Sequence, residues 1–319
     1  MLKRIMILSA VVFFGLSTFS QSMDEAGEKY NEGNEKYSAK AYGEAIPAFE
    51  AALEICNGVG AEAEGLKGSV QKQLNNSYYK YGLSLYKLKK YDDAIGYMTK
   101  SLKLSEELGD ESKKKKDINY IAKIYSTKGM SLIKDEKLDD AMASFDKAHE
   151  IKPSCVNAFY GKAVVYKSKG DIDQMIVNAD KVIENGAGND KAAKTVAKTK
   201  KMAAKALFNE GAAEITKEHG KQAAEYLNAS LNYTAGSFDT YYYLAIANNK
   251  AKSYAAAIEA ANKALEMAEG DKSDVYFEIG QAQEGSGNSS AACNAYKKVS
   301  GGNNVETAKY KITTVLKCS

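Results

Sequence analysis

Residues 122–155 read AKIYSTKGMSLIKDEKLDDAMASFDKAHEIKPSC, and the spacing inside them decides the fold. Large side chains stand at Tyr125, Leu132, Leu138 and Phe145, small ones at Gly129, Ala141 and Ala148, and Pro153 closes the stretch. Small residues let two antiparallel helices approach closely, and large ones fill the space around that contact. The composition of the whole chain points the same way. Of 319 residues only 2 are proline and none is tryptophan, while Ala, Lys, Glu, Leu and Tyr are common. Long helices are favoured over short strands and turns. A hydrophobic content of 45% is enough for a core, which argues against general disorder.

The pattern in 122–155 resembles the tetratricopeptide repeat, with large residues at repeat positions 4, 11 and 17, small ones at 8, Ala at 20 and 27, an aromatic at 24 and Pro at 32. The same register fits elsewhere. Gly33, Tyr42, Ala45, Phe49 and Ala52 place a first repeat from Ala26, and Tyr78, Gly82, Leu85, Tyr91, Ala94 and Met98 a second from Asn75. Phe159, Ala163, Tyr166, Gly170 and Ile172 place one from Val156, with Met175 where Ala is usual. A weaker match begins at Ala204, further repeats begin at Phe238 (Tyr241, Ala245, Tyr254, Ala257, Ala264) and Ser273 (Tyr276, Gly280, Gly287, Ala292, Tyr296), and Thr307–Cys318 looks like a terminal half-repeat. Neither helix of a pair can bury its apolar face alone, so stacked neighbours complete one another's core.

The resemblance implies an all-α fold: an α-α superhelix, or tetratricopeptide solenoid, of about seven helix pairs plus a C-terminal capping helix. Its repeats would start near residues 26, 75, 122, 156, 204, 238 and 273, with a cap over 305–318, all within 21–319. Three of the intervals exceed the 34-residue period by roughly four helical turns. The excess falls in the helix-forming segments Ala61–Leu74, Glu111–Ile121 and Asp190–Ala203. Long first helices are therefore expected in the second, third and fifth repeats, capped by Ser112 and Asp190 in the latter two. They would project beyond the body as ridges.

Residues 1–20 read as a signal peptide. Lys3 and Arg4 form the positive region, Ile5–Leu16 the apolar run, and Thr18 and Ser20 suit a cleavage site. The run is shorter than a membrane span needs, so the expectation is export to the periplasm or exterior of a bacterium, with no transmembrane segment afterwards. Cleavage would bring the formal charge of +3 down by the two charges of Lys3 and Arg4. Arg4 is the sole arginine, so every positive side chain left would be a lysine. Arginine is the preferred bidentate grip on phosphate and guanine, so its absence argues against nucleic-acid partners. The runs Lys113–Lys116 and Lys198–Lys201 fit solvated helix faces.

No catalytic or metal-ligating pattern is present in the sequence. The two histidines, His149 and His219, lack ligand spacing, and no Gly-rich phosphate loop, nucleophile elbow or zinc-type cysteine pairing occurs. No enzyme activity, cofactor or metal is expected. In the register of the resemblance, Cys293 and Cys318 fall at the same edge, where a disulfide would clamp the terminal helix. Cys56 and Cys155 are too far apart to bond. All four could equally be small packing residues.

The family's first helices line a groove that holds an extended peptide or a partner helix. Position 5 on that face carries Tyr30, Tyr79, Ser126, Tyr160, Phe208, Tyr242 and Phe277, six aromatics in seven repeats. Tyr37 and Tyr86 at position 12, Leu83 and Met130 at position 9, and Asn34 extend the same surface. Aromatics bury much area at little entropic cost, which makes them binding anchors. The subtype that clamps a C-terminal carboxylate is not matched: Asn34 and Lys123 fit it, but Tyr30, Lys80 and Thr127 do not. The expected function is a protein- or peptide-binding scaffold of the cell envelope or exterior, acting through the concave face. The alternatives are a glycan or small-molecule binder using the same tyrosines, and, least favoured, an enzyme with a site between the long helices. The sequence does not set the oligomeric state.

Overall fold

The contact between Gly129 and Phe145 sets the geometry of the third helix pair, and four other pairs repeat it. A computed structural model describes residues 22–318; the expected signal peptide lies outside them. An added Cβ at Gly129 would come within 2.6 Å of the Phe145 ring, which is wholly buried. Gly33 meets Phe49, Gly82 meets Met98, Gly211 meets Leu227, and Gly280 meets Tyr296 in the same way. In each pair a first helix without a side chain at that point lets the large residue of the second lie across its backbone. Full burial of one such side chain contributes about 2–3 kcal/mol.

All regular structure among the described residues is helical. The first unit ends at Gly161. It holds α1 (22–38), α2 (Tyr42–Val59), α3 (Glu64–Lys87), α4 (Tyr91–Glu107), α5 (Glu111–Lys134), α6 (Leu138–Ile151) and the start of α7 (Val156–Lys169). The second unit takes the rest of α7 and then α8 (Ile172–Gly186), α9 (Asp190–Thr216), α10 (Gly220–Leu231), α11 (Phe238–Lys250), α12 (Tyr254–Met267), α13 (Ser273–Gly285) and α14 (Ser289–Tyr296). A short α15 (Val305–Tyr310) and a wide turn (Lys311–Val315) close it. The helices thus form seven consecutive pairs and a cap.

The turn inside each pair has one geometry throughout. Two or three residues separate the helices, and one of them is left-handed: Lys40, Lys89, Glu136, Gly170, Glu218, Lys252 or Gly287. The next amide then reaches five residues back, as in Ala41 to Lys36, Lys137 to Leu132 and Asn288 to Gln283, at 2.8–2.9 Å. This is a Schellman closure, which satisfies the carbonyls that a helix end otherwise leaves without partners. Five of the seven positions are Lys or Glu, not Gly, although the left-handed region carries a steric penalty for side chains.

Junctions between pairs vary instead. Helices α3, α5 and α9 are the long ones, at 24, 24 and 27 residues. Their starts differ slightly from the expected caps: Asp110 caps α5 and Asn189 caps α9, each accepting a backbone N–H with its side chain. The α3 extension begins with a single tight turn, Ala61–Ala63. The extensions do not stand clear as ridges. Val70 and Leu74 of α3 join the core formed by Ala52 and Cys56 of α2. On α5, Asp117 is fully buried against Ser101 and Ser105 of α4, while on α9 Val196 fills the space beside Gly186 of α8. Preceding helices are long enough to cover one face of these segments, so that face of each extension joins the core.

The terminal pair is short, and α14 has 8 residues. Cys293 of α14 is bonded to Cys318, with Cα atoms 5.8 Å apart. Ala308, Val305, Ile312 and Leu316 pack with Phe277, Tyr296 and Val299 beneath that link. Cys56 and Cys155 are free and buried.

Candidate functional site

Five of the six position-5 aromatics, Tyr30, Tyr79, Phe208, Tyr242 and Phe277, pack against a neighbouring ring and not against one another. In the first unit Tyr30 tilts against Phe49 at 5.9 Å between centroids. Tyr79 meets the edge of Tyr120 at 5.6 Å, and the Lys113 ammonium lies 4.3 Å from the Tyr79 ring centre. Such a distance allows a cation–π attraction. Burial, followed by the neighbouring Tyr120, pushes the Tyr79 hydroxyl well above the usual tyrosine range. Tyr160, on α7, is half-buried.

Two of the accompanying residues, Asn34 and Tyr86, form contacts between successive first helices. Asn34 of α1 accepts from Gln73 of α3 at 3.3 Å. Tyr86 of α3 lies 3.2 Å from the Thr127 hydroxyl of α5, and Lys123 stands 5.5 Å from both the Tyr86 and Tyr120 rings. Tyr37 packs edge-on to Tyr42 at 5.2 Å. Leu83 and Met130 are half-buried on α3 and α5. The first unit therefore presents a wall in which Tyr79, Tyr86 and Tyr120 alternate with Lys113 and Lys123.

A buried polar network lies behind that wall. Asp117 Oδ2 is 2.8 Å from Ser105 Oγ and 3.0 Å from Ser101 Oγ, and Asn75 bonds to both serines. Asp117 Oδ1 has no hydrogen bond and is 3.9 Å from the Lys113 ammonium. Burial raises the Asp117 carboxyl and lowers the Lys113 ammonium, with their mutual attraction opposing both shifts.

In the second unit Phe208 of α9 tilts against Tyr243 at 5.3 Å. It lines a cleft of about 310 Å³ with Lys201, Lys205, Leu231 and Thr240. Tyr242 stacks on Phe238 at 5.8 Å and meets Tyr243 edge-on. Burial first, then the carboxylates of Glu278 and Asp274, push its hydroxyl up to about 12. Phe277 corrects the expectation for the seventh repeat. It is 6% exposed and packed against Tyr296, so its side chain belongs to the core under the cap.

Several residues of these surfaces had no place in the 34-residue register. Tyr120 and Lys113 lie in the α5 extension, before the repeat begins, and Tyr243 occupies position 6. Both histidines have local roles: His149 Nδ1 is 3.1 Å from the Pro153 carbonyl, and His219 Nδ1 is 2.7 Å from Glu214. No helix among the described residues is long and apolar enough to cross a membrane.

Residues 66–108 and 122–155 match the tetratricopeptide repeat family. The structure is similar to a tetratricopeptide repeat protein from Parabacteroides merdae, at 14% identity and a TM-score of 0.31, over 93% of this chain and 100% of that one. It is also similar to the TPR domain of P58(IPK), at 13% identity and a TM-score of 0.34, over 92% and 98% of the two chains. YrrB, described as a TPR protein with an unusual peptide-binding site, is similar at 18% identity and a TM-score of 0.35, over 55% of this chain and 83% of that one. No curated protein sequence matches the chain.

Proposed function

We propose that this array of tetratricopeptide-type helix pairs is a non-catalytic scaffold that binds another protein or peptide through the aromatic faces of its first helices. One observation carries the reading. Tyr79, Tyr86 and Tyr120 are only half-buried, and with Lys113 and Lys123 they form one surface on α3 and α5. Rings already held by neighbours lose little further freedom on binding, so their contact area counts nearly in full. Tyr242, held between Phe238 and Tyr243, offers the same in the second unit.

The scaffold acts outside the cytoplasm, in the periplasm or beyond, after removal of residues 1–20. Two things support that placement: the charged, apolar and small-residue order of the N-terminus, and the Cys293–Cys318 bond, of a kind that persists in oxidising compartments. Mass spectrometry of the mature protein is expected to find residue 21 at its N-terminus; an intact 1–20 segment in exported material would overturn the placement.

Binding is tested by crosslinking pull-down from an envelope fraction, comparing the parent chain with a Tyr79→Ala, Tyr160→Ala, Tyr242→Ala variant that melts cooperatively. Loss of the partner is expected. Equal recovery by the variant would refute the aromatic surface.

A further inference from the structure

A cleft of about 630 Å³ opens in the second unit, walled by Ile246 and Asn249 of α11, Tyr254 of α12, Glu278 and Gln281 of α13, and Lys311 of the closing turn. The Tyr254 ring lies directly on Gly285, where an added Cβ would collide with it, so the glycine seats the aromatic wall.

Charges around the cleft do not all cancel. The Lys311 ammonium is 2.7 Å from Glu284, whose other oxygen accepts from the Tyr296 hydroxyl at 2.7 Å. Lys250 is held by both carboxylate oxygens of Glu218, each at 2.7 Å. Both basic residues at the rim are therefore paired, and Glu284 is satisfied. Glu278 is different. It is 8% exposed, and its one side-chain hydrogen bond comes from Asn249 Nδ2 to Oε2, at 2.7 Å.

Asn249 also donates to the Glu278 backbone carbonyl, at 2.9 Å, so both protons of its amide are used. The amide cannot be turned over, because its oxygen would then face two acceptors. In this orientation Asn249 Oδ1 is buried with no hydrogen-bond partner. The floor of the cleft thus holds one buried acceptor without a donor, Asn249 Oδ1, beside the Glu278 carboxyl, whose Oε1 carries no hydrogen bond within the protein. Burial, with a smaller push from Asp274, holds that carboxyl above its ordinary range, while Asn249 and Lys250 pull it back only in part. A carboxyl short of donors costs free energy on burial, and a ligand that brings N–H groups and positive charge to Glu278 offsets that cost. An anion would meet the Glu278 carboxyl instead.

We propose that this cleft is a subsite for an alkylammonium or alkylguanidinium group, the lysine or arginine side chain of the bound protein, with Glu278 as its counter-ion. Glu278 Oε1 takes the cation's N–H, and the aliphatic stem lies along Ile246 and Tyr254. This rests on the protein-binding reading above and names the chemistry of one partner residue.

The test uses the full chain with ¹³C-methyl-labelled isoleucine and reads the Ile246 methyl signal by NMR. Nα-acetyl-arginine amide, Nα-acetyl-lysine amide and neutral Nα-acetyl-glutamine amide are titrated separately. A saturable shift with at least one cation, and none with the glutamine compound, is expected; which cation binds more tightly identifies the side chain. Glu278→Gln should weaken binding by at least about tenfold, the scale of one charge-assisted hydrogen bond. Should that variant fail to fold, Gln281→Glu decides: a second carboxyl on the wall should tighten binding several-fold. No shift at Ile246 with either cation, an equal shift with the glutamine compound, unchanged affinity in folded Glu278→Gln, or no tightening in Gln281→Glu overturns the proposal. No partner protein enters the titration, so its failure is distinct from failure of the tyrosine pull-down.

Discussion

Reducing the Cys293–Cys318 bond releases the last helix from its anchor, and the size of the effect follows from the loop it closes. The two cysteines are 25 residues apart. In the chain-entropy description, closing a loop of that length stabilises the folded state by about 3.5 kcal/mol at 25 °C. The cap has little else to hold it. Ala308 is buried, and Val305, Ile312 and Leu316 are half-buried against Phe277 and Tyr296. That burial contributes a few kcal/mol. The polar ties are the Lys311–Glu284 ion pair and the bond from Asn304 to Asp274, at 2.7 and 3.0 Å. Loss of a contribution comparable to all the cap's apolar burial should let it open locally while the pairs before it stay folded. Hydrogen exchange followed by mass spectrometry, with and without a phosphine reductant, measures this directly. Protection of peptides covering 303–318 is expected to fall by up to about 300-fold, the equivalent of that free energy. Peptides from α2 should not change, because Cys56 and Cys155 are already free thiols and buried. A Cys293→Ser, Cys318→Ser double variant should reproduce the reduced pattern without reductant. Protection of the cap unchanged within a factor of about three would refute the reasoning.

Three further outcomes follow from packing and charge. Gly129→Ala gains about 1 kcal/mol of helix propensity but drives a methyl into the Phe145 ring, at a cost of about 1–3 kcal/mol. The urea midpoint should fall, and adding Phe145→Leu should recover part of the loss; a higher midpoint in the single variant contradicts the close contact. Glu136→Gly relieves a left-handed backbone (φ 60°), and a net gain of about 0.5–1 kcal/mol is expected despite glycine's greater freedom in the unfolded chain. Glu136→Val should lower the midpoint, and equal stability of the two variants would count against the turn assignment. Lys113→Met removes the cation nearest Asp117 and should cost about 2 kcal/mol near pH 7. Burial already raises the folded Asp117 carboxyl above its unfolded value, so the folded state holds the proton more tightly. Stability is therefore lost as pH rises through the folded value, and the Lys113→Met deficit should shrink as pH falls towards about 4. Denaturation series at several pH values check it, and a deficit independent of pH would show that Asp117 is not the group responsible.

The helix pairs were legible because their decisive contacts are local and depend on size alone. Gly129 and Phe145 are a short helical hairpin apart, and no polar chemistry is needed to infer that one fits over the other. The extra length of α3, α5 and α9 was legible from the intervals, since strongly helix-forming segments filled them. Where those segments go was not. Val70 packing beside Cys56, or Asp117 turning inward to Ser101 and Ser105, depends on how long the preceding helix is, and a fixed register carries no such term. The aromatic positions were found one by one, but their partners were missed. Tyr120 belongs to an extension, and Tyr243 to a position that the register assigns no role. Phe277 fell on the expected face, yet Tyr296 covers it. Glu278 and Asn249 escaped notice for another reason: on a surface with many acids and amides, only the bonding pattern distinguishes a group that lacks a donor.

The seven turns within the pairs are nearly uniform in length and alike in closure, whereas the junctions between pairs range from a bare three-residue step at 108–110 to the six residues 232–237. Helix–turn–helix hairpins are thus the interchangeable parts of this chain, and its seams lie between them. A duplication, deletion or recombination breakpoint placed at a seam such as 152–155 leaves each hairpin whole and asks only that two faces match. The same breakpoint at 135–137 would separate Gly129 from Phe145 and leave two halves with no intact pair at the join. Chains of this design can therefore change length in steps of one hairpin, and shuffled libraries cut at the seams should yield far more folded members than libraries cut at the turns.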